Sequence, residues 1–146
     1  MHDEELDHAA KLFGYVKISS ERRDIMRASL KRDTAETDVE VSLGLDGSGR
    51  SEVDTGVLLL DEMLKILAQA SGFDIVVRAR GDLPTGDHHT VEDVAIALGS
   101  VMAKLVDVGI GSSIVPSGEA LAVAAVRFGA PGYRDDVEFQ SAFLEG

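Results

Sequence analysis

The segment from Asp87 to Asp93 combines residue types that bind metal ions. Two of the four histidines of the chain are adjacent, and two carboxylates follow four residues later. If a helix begins here, His88 and Glu92 share one face, and His89 and Asp93 share the next face, roughly 100° around the axis. Imidazole and carboxylate groups bind zinc, manganese and iron. Two adjacent imidazoles that point in different directions could bind two metal ions or bridge two chains.

A simpler interpretation of the same residues is an ordinary exposed helix start. Glu92 and Asp93 suit the positive end of the helix dipole without any metal. Two ligands also do not complete a metal site, so further donors have to come from elsewhere.

The elements that would position this segment can be predicted from hydrophobic periodicity. Residues 73–80 alternate as a half-buried strand, and the loop from Gly81 to Gly86 leads to Asp87 as the expected helix N-cap. The helix that follows has the strongest helical pattern in the chain. The residues expected on its buried face are Val91, Val94, Ala95, Leu98, Val101, Met102 and Leu105.

Other segments complete an α+β pattern. Residues 37–45 alternate as a strand, and Asp46-Gly47-Ser48-Gly49 has turn chemistry that predicts a hairpin returning through Glu52 and Val53. A helix over 57–70, ended by Ser71-Gly72, a strand over 121–128, an N-terminal helix over 3–15 and a short strand over 133–139 are also predicted. This order favours helices packed on one face of a sheet.

Composition limits the function. The 146 residues, 45% of them hydrophobic, fit one domain, and a net charge of −12 argues against nucleic acid as a partner. The chain has no cysteine, so a metal site must use histidine, aspartate and glutamate. No apolar run approaches the roughly 18 residues of a membrane span, and the acidic N-terminus is unlike a signal peptide, so a cytoplasmic location is expected. A basic run over 22–32 predicts a solvated strand edge, with an anion site as the alternative.

Seven segments, in the same order along the chain, resemble the imidazoleglycerol-phosphate dehydratases of histidine biosynthesis. They are Arg32-Asp33-Thr34-Ala35-Glu36-Thr37, Leu45-Asp46-Gly47, Asp54-Thr55-Gly56, Leu60-Asp61-Glu62-Met63-Leu64, Gly81-Asp82-Leu83, Asp87 to Asp93 with Ile96-Ala97-Leu98-Gly99, and Glu119-Ala120-Leu121-Ala122. The resemblance implies an α+β half-domain of the dehydratase type, also described as ribosomal protein S5 domain 2-like, with a mixed sheet backed by two helices. Residues 1–26 would be a helical extension, and 27–146 a complete first half and an incomplete second half.

The resemblance also implies a site and a reaction. Family members use paired manganese ions, held by motifs from different halves and subunits, to remove water from an imidazole phosphate substrate. By this likeness His88, His89 and Glu92 are metal ligands, Glu36 is the acid/base carboxylate, and Glu36 and Asp87 contact the substrate. Manganese, or another divalent metal, is the expected cofactor.

The sequence departs from the family pattern at several positions. Glu62 stands where the family has a ligand histidine, and Ser71 where another histidine is common; a carboxylate can still bind manganese, so Glu62 is kept as a ligand. Residues 109–113 are shorter than their counterpart and lack an arginine, and a second arginine is absent near Ala130. The second His-His motif and the phosphate-binding lysine of the family are also missing. A homo-oligomer could supply the remaining ligands by bringing copies of the His88-His89 turn together.

Three hypotheses remain open from the sequence. The first is a metal-dependent hydro-lyase resembling the dehydratase. The second is a non-catalytic relative, a metal- or ligand-binding oligomer that has lost the reaction. The third is a small acidic enzyme that uses the same metal chemistry on another substrate.

Overall fold

The computed structural model describes residues 15–17, 26–129 and 132. The chain divides into two compact units, whose described residues are 26–105 in one and 15–17, 106–129 and 132 in the other. In chain order the elements are β1 (Tyr15–Lys17), β2 (Arg27–Asp33), β3 (Thr37–Gly44), β4 (Ser51–Asp54), α1 (Leu58–Ser71), β5 (Asp74–Gly81), a 3-10 turn (Leu83–Thr85), α2 (His88–Leu105), β6 (Val108–Ser117) and β7 (Ala120–Phe128).

The larger unit is built on a mixed four-stranded sheet in the order β2-β3-β5-β4. Strands β2 and β5 are both antiparallel to β3, whereas β4 is parallel to β5. The register pairs Thr37 with Gly81 at one end of the sheet and Gly44 with Asp74 at the other. The expected α+β class, with a mixed sheet and two helices, is confirmed.

The two faces of this sheet follow the period-two alternation of the sequence. One face forms the core with the helices, and its side chains in β3 and β5 are almost fully buried: Val39, Val41, Leu43, Ile75, Val77 and Ala79. The opposite face carries ion pairs between neighbouring strands, including Lys31 with Asp38 at 2.9 Å and Arg80 with Asp54 at 2.8 Å. The basic run therefore contributes to an exposed edge strand, β2, as predicted.

Helix α1 lies within one residue of its predicted bounds. Asp61 begins its buried side, where the carboxylate accepts hydrogen bonds from the Thr55 backbone N at 3.0 Å and hydroxyl at 2.6 Å. Gly72 ends the helix with a left-handed φ of 76°, a conformation that favours glycine. Only a narrow stripe of α1 is buried, so much of its apolar surface faces outward.

Helix α2 is confirmed, but the prediction of its buried face is partly wrong. Val94, Val101 and Leu105 are buried as expected, whereas Val91 is 36% exposed and Ala95 is exposed. The inward face instead includes two polar residues, Thr90 and Asp93, at 0% and 8% exposure. Hydrophobic periodicity alone does not locate this face, because polar residues occupy two of its core positions, and of these Asp93 is hydrogen-bonded.

The predicted hairpin after β3 is also wrong. Strand β4 does not return along β3 but pairs in parallel with the far edge of β5. The loop before β4 is held by the Asp74 carboxylate, which accepts hydrogen bonds from the backbone N of Ser48 at 2.8 Å and of Arg50 at 3.2 Å. These bonds hold the loop beside Asp74, the first residue of β5. Helix α1 then connects β4 to β5, because two parallel strands need a crossover connection.

The second unit contains a three-stranded sheet in the order β1-β6-β7. Strand β7 was predicted, but β6 was not, because Gly109, Gly111, Pro116 and three serines weaken its pattern. Within the predicted N-terminal extension, Tyr15–Lys17 pairs with residues 108–110. The predicted strand over 133–139, and the helix over 3–15 apart from Tyr15, lie outside the described residues. In the described part of the chain, no helix is long and apolar enough to cross a membrane.

Candidate metal centre

The first turn of α2 presents the two histidines side by side. Residue Asp87 precedes the helix, and its carbonyl accepts the backbone N–H of Val91 at 2.9 Å. The His88 and His89 rings lie edge to face, with centroids 5.7 Å apart and planes at 63°. The Nε2 atom of His88 lies 3.4 Å from a carboxylate oxygen of Glu92, as the i,i+4 spacing predicted. The side chains of His88 and Glu92 are exposed, and His89 is about half exposed, so all three are available to a ligand.

His89 is oriented by Asp82, from the loop that follows β5. Its Nδ1 atom lies 3.2 and 3.1 Å from the two Asp82 oxygens. Because an ionised carboxylate only accepts hydrogen bonds, this contact places the proton on Nδ1 and leaves Nε2 for another partner. The Thr85 hydroxyl donates to Asp82 at 2.7 Å and fixes the carboxylate in turn. A carboxylate on the distal nitrogen is the usual support of a metal-binding histidine.

Charge around His89 changes its proton affinity. The hydrogen bond and the negative charge of Asp82 raise the pKa of His89, and the nearby Glu36 and Glu92 carboxylates raise it further. The Thr85 hydrogen bond lowers the pKa of Asp82, helped by His89, so this carboxylate stays ionised. A metal ion at Nε2 would compete with a proton there, which makes metal affinity pH-dependent.

Glu36 lies on the tight turn between β2 and β3. Within that turn Thr34 N donates to Thr37 O at 2.8 Å, and the Thr34 hydroxyl accepts the backbone N–H of Glu36 at 3.3 Å. The Glu36 side chain is exposed, and its charge acts on His89. Hydrogen bonds from Thr34 and Thr37 to Asp93 join this turn to the start of α2, without a direct hydrogen bond between Glu36 and the predicted metal ligands.

The other predicted residues are placed less closely. Glu62 forms an ion pair with Lys65 at 2.7 Å on the exposed side of α1. Among the described residues, no hydrogen bond or ion pair joins Glu62 to the histidine turn. The spacing predicted that Asp93 shares a helix face with His89, and this prediction is wrong. Asp93 points inward, and His89 pairs with Asp82. The sequence did not predict the contact of Asp82 with His89, because His89 lies in the next element.

The donor set fits a divalent cation. His88, His89 and Glu92 offer imidazole nitrogen and carboxylate oxygen from one turn, and Asp82 leaves Nε2 of His89 available. In the described part of the chain, no three His, Asp or Glu side chains lie close enough together to hold a metal ion as they stand. Manganese favours about six ligands, more than this turn offers, so a complete site requires donors from another chain or segment.

The fold and this turn define a class of protein: an α+β domain that presents adjacent histidine and carboxylate side chains at the start of a helix. The sequence profile of the imidazoleglycerol-phosphate dehydratase family matches residues 55–145. The chain belongs to the imidazoleglycerol-phosphate dehydratase family.

Curated relatives support the same assignment. An imidazoleglycerol-phosphate dehydratase from Desulforudis audaxviator is 47% identical over 114 residues, which are 75% of this chain and 58% of the relative. Those from Chlorobaculum tepidum and Pseudomonas aeruginosa are 43% and 42% identical over 125 and 126 residues, in both cases 82% of this chain and 64% of the relative. The chain therefore spans about 58–64% of the length of these relatives.

Proposed function

We propose that the chain supplies the metal-binding part of an imidazoleglycerol-phosphate dehydratase, a hydro-lyase of histidine biosynthesis. The observation that carries the proposal is the first turn of α2, where the exposed His88 imidazole lies beside Glu92 and the adjacent His89 imidazole is held by Asp82. The family membership supplies the reaction, and the nearby Glu36 supplies a group for proton transfer. A cytoplasmic location stays a prediction.

His88, His89 and Glu92 are the groups that would hold the metal, manganese or another divalent ion. Bound there, the cation would supply positive charge that stabilises negative charge on the imidazole of the substrate. Asp82 would keep His89 in the tautomer that offers Nε2 to the cation. Glu62 is retained as an additional ligand on the family likeness alone.

Glu36 is proposed as the proton carrier. Dehydration removes a proton from carbon and a hydroxyl group from the neighbouring carbon, and the hydroxyl takes up a proton to leave as water. An exposed carboxylate near the metal ligands can accept the first proton at its oxygen atoms and return a proton to the leaving group. Asp87, directly before the histidines, is proposed to contact the imidazole phosphate substrate.

A homo-oligomer is part of the proposal. Helix α1 exposes large apolar side chains, with Leu58, Leu59, Met63 and Ile66 at 81%, 69%, 58% and 63% exposure. Such a surface on one helix is more than a soluble monomer ordinarily leaves in water. Symmetric association of copies would cover the surface, and it could add donors from a second chain to the His88-His89 turn.

The alternative is a non-catalytic member that binds a metal or ligand. The observation that favours it is the ion pair of Glu62 with Lys65, which occupies a carboxylate that the enzyme hypothesis assigns to the metal. The exposed ion pair itself contributes little to stability, so a metal could displace Lys65 at small cost.

Turnover of imidazoleglycerol phosphate by the purified chain with added Mn²⁺ tests the proposal. We expect metal-dependent loss of water, and we expect Glu36→Gln to lower the rate by about 10²-fold or more with the fold intact. Glu40→Gln is the matched control, because Glu40 is an exposed carboxylate on β3. No turnover above background by the metal-loaded wild type would refute the enzyme and leave the alternative. Full activity of Glu36→Gln would refute the role of that carboxylate.

A further inference from the structure

Asp93 is a buried carboxylate one residue beyond Glu92. Both oxygens of its side chain accept hydrogen bonds. Oδ1 accepts one from Nε of Arg32 at 2.8 Å, and Oδ2 accepts one from the Thr34 hydroxyl at 3.1 Å and one from the Thr37 hydroxyl at 2.5 Å. The side chain is 11% exposed. An ionised group so placed requires such partners, because burial of an unpaired charge is very costly.

All three donors flank the turn that carries Glu36. Arg32 lies near the end of β2, and Thr37 begins β3. The Thr34 hydroxyl donates to Asp93 while it accepts the backbone N–H groups of Glu36 at 3.3 Å and Thr37 at 3.1 Å. A continuous path of hydrogen bonds therefore runs from the Asp93 carboxylate, through Thr34, to the main chain of Glu36.

The Glu36 side chain has no comparable support of its own. Within the described residues its carboxylate accepts no hydrogen bond, so its location is set by the main chain of the turn. That turn and the start of α2 are distant in the sequence, with separations of 59 and 56 residues across the two threonine contacts. A group that transfers protons must be held to within a fraction of an ångström of its working position.

We propose that Asp93 is a positioning residue that fixes the Glu36 turn to the helix start carrying His88 and His89. The catalytic consequence of this inference rests on the proposed function. The attachment of the Glu36 turn to the helix start rests only on the hydrogen bonds of Asp93. Asp93 would not bind the metal, since both of its oxygens are occupied and its side chain is turned inward. It acts through Thr34 and Thr37.

The chain contains a matched control in Asp74. The Asp74 side chain is also 11% exposed and also pairs with arginine, through Arg50 at 3.1 Å. It lies at the Gly44 end of the sheet, whereas Asp93 contacts Thr37 at the opposite end. The eight residues of β3 place these ends roughly 23 Å apart at about 3.3 Å per residue. Asp74→Asn therefore removes a similar buried charge far from Glu36.

The experiment compares Asp93→Asn with Asp74→Asn in two measurements. The first is amide hydrogen exchange of Glu36 and Thr37, taken relative to the core amides of Val41 and Val77. We expect Asp93→Asn to speed exchange in the turn by tenfold or more, and Asp74→Asn to leave this ratio unchanged. The second is steady-state kinetics at equal Mn²⁺ content. We expect kcat to fall about 10²-fold in Asp93→Asn with little change in KM, and neither to change in Asp74→Asn.

Thr34 provides a second test if Asp93→Asn fails to fold. Thr34→Ser keeps the hydroxyl and should retain wild-type exchange in the turn, whereas Thr34→Val should behave like Asp93→Asn. Unchanged exchange of Glu36 and Thr37 in folded Asp93→Asn or Thr34→Val would overturn the inference, as would equal acceleration in Asp74→Asn. Failure of the proposed function gives a different result, an inactive wild type, in which the exchange ratios still test the anchoring.

Discussion

Replacement of Gly81 by alanine should move the helix start that carries the histidines. Gly81 ends β5, and an added Cβ atom would lie 2.0 Å from the Thr90 hydroxyl oxygen, 3.2 Å from Thr90 Cβ and 3.5 Å from Thr37 Cγ2. Non-bonded heavy atoms prefer separations of about 3.5 to 4.0 Å, so the first contact is too short by more than 1 Å. Thr90 is 0% exposed and cannot turn into solvent. Either its rotamer or α2 itself must shift.

The cost can be estimated from overpacking of a close-packed interior, which destabilises by about 1–3 kcal/mol. We expect the upper part of this range, about 2–3 kcal/mol, because strand and helix are both fixed at this contact. For a chain of 146 residues each kcal/mol lowers Tm by about 2–4 °C. The variant Thr90→Ala removes the clashing oxygen, a buried atom without a hydrogen-bond partner in the described part of the chain. The double variant should therefore recover about 1–2 kcal/mol relative to Gly81→Ala alone.

Urea unfolding at one fixed protein concentration measures all three variants, since association would otherwise change the apparent stability. Gly99→Ala is the control, because Gly99 lies within α2 and its added Cβ would meet nothing within 4 Å. That substitution should stabilise by about 0.5–1 kcal/mol. The steric argument requires an overpacking cost that removal of the Thr90 hydroxyl relieves. It would be refuted by a Gly81→Ala variant whose stability is within about 0.5 kcal/mol of wild type, or by a double variant that recovers no stability.

Three further predictions concern the metal, the assembly and acid stability. His89→Ala should lower the metal content measured by elemental analysis, and an unchanged metal stoichiometry would contradict its role as a ligand. Ile66→Lys should reduce the mass in solution by placing a charge on the exposed apolar side of α1; a wild-type chain that is monomeric at micromolar concentration would contradict the oligomer. Hydrogen bonds from Ser48 and Arg50 hold the pKa of Asp74 well below its ordinary value of 3.8. The ionised Asp74 carboxylate therefore contributes its full stability above pH 3.8, and this contribution is lost as the pH falls below 3.8. The loss of unfolding free energy caused by Asp74→Asn should therefore become smaller in acid. A loss that stays the same at every pH would contradict this prediction.

Local patterns predicted the elements of the larger unit well. Strict alternation placed β3 and β5 to within one residue and identified the side chains that form the core. Turn chemistry failed after β3, since the loop over 46–49 leads to the far edge of β5 and not into a hairpin. The difference depends on Asp74, whose contacts with Ser48 and Arg50 join residues about 25 positions apart. No pattern within the loop encodes that contact.

In the candidate site, the contact within one helix was predicted from the sequence, whereas the contact between a loop and that helix was not. The His88–Glu92 pair follows from helix geometry and was expected from the spacing of the two residues. The Asp82–His89 contact crosses from a loop to a helix, and the spacing of seven residues has no regular structural meaning. Sequence pattern therefore identifies residues that a helix brings together and misses residues that a loop must bring to it.

Asp93 illustrates the largest gap between pattern and structure. In a periodicity analysis a charged residue is assumed to be exposed, which placed Asp93 beside His89 on the outer surface of α2. Burial is possible because Arg32, Thr34 and Thr37 all donate to its carboxylate. Each of these donors belongs to the other motif of the candidate site, the segment that carries Glu36. The two motifs are therefore parts of one structural unit, and a substitution at Asp93 has to be interpreted through Glu36 as well as through the helix in which Asp93 lies.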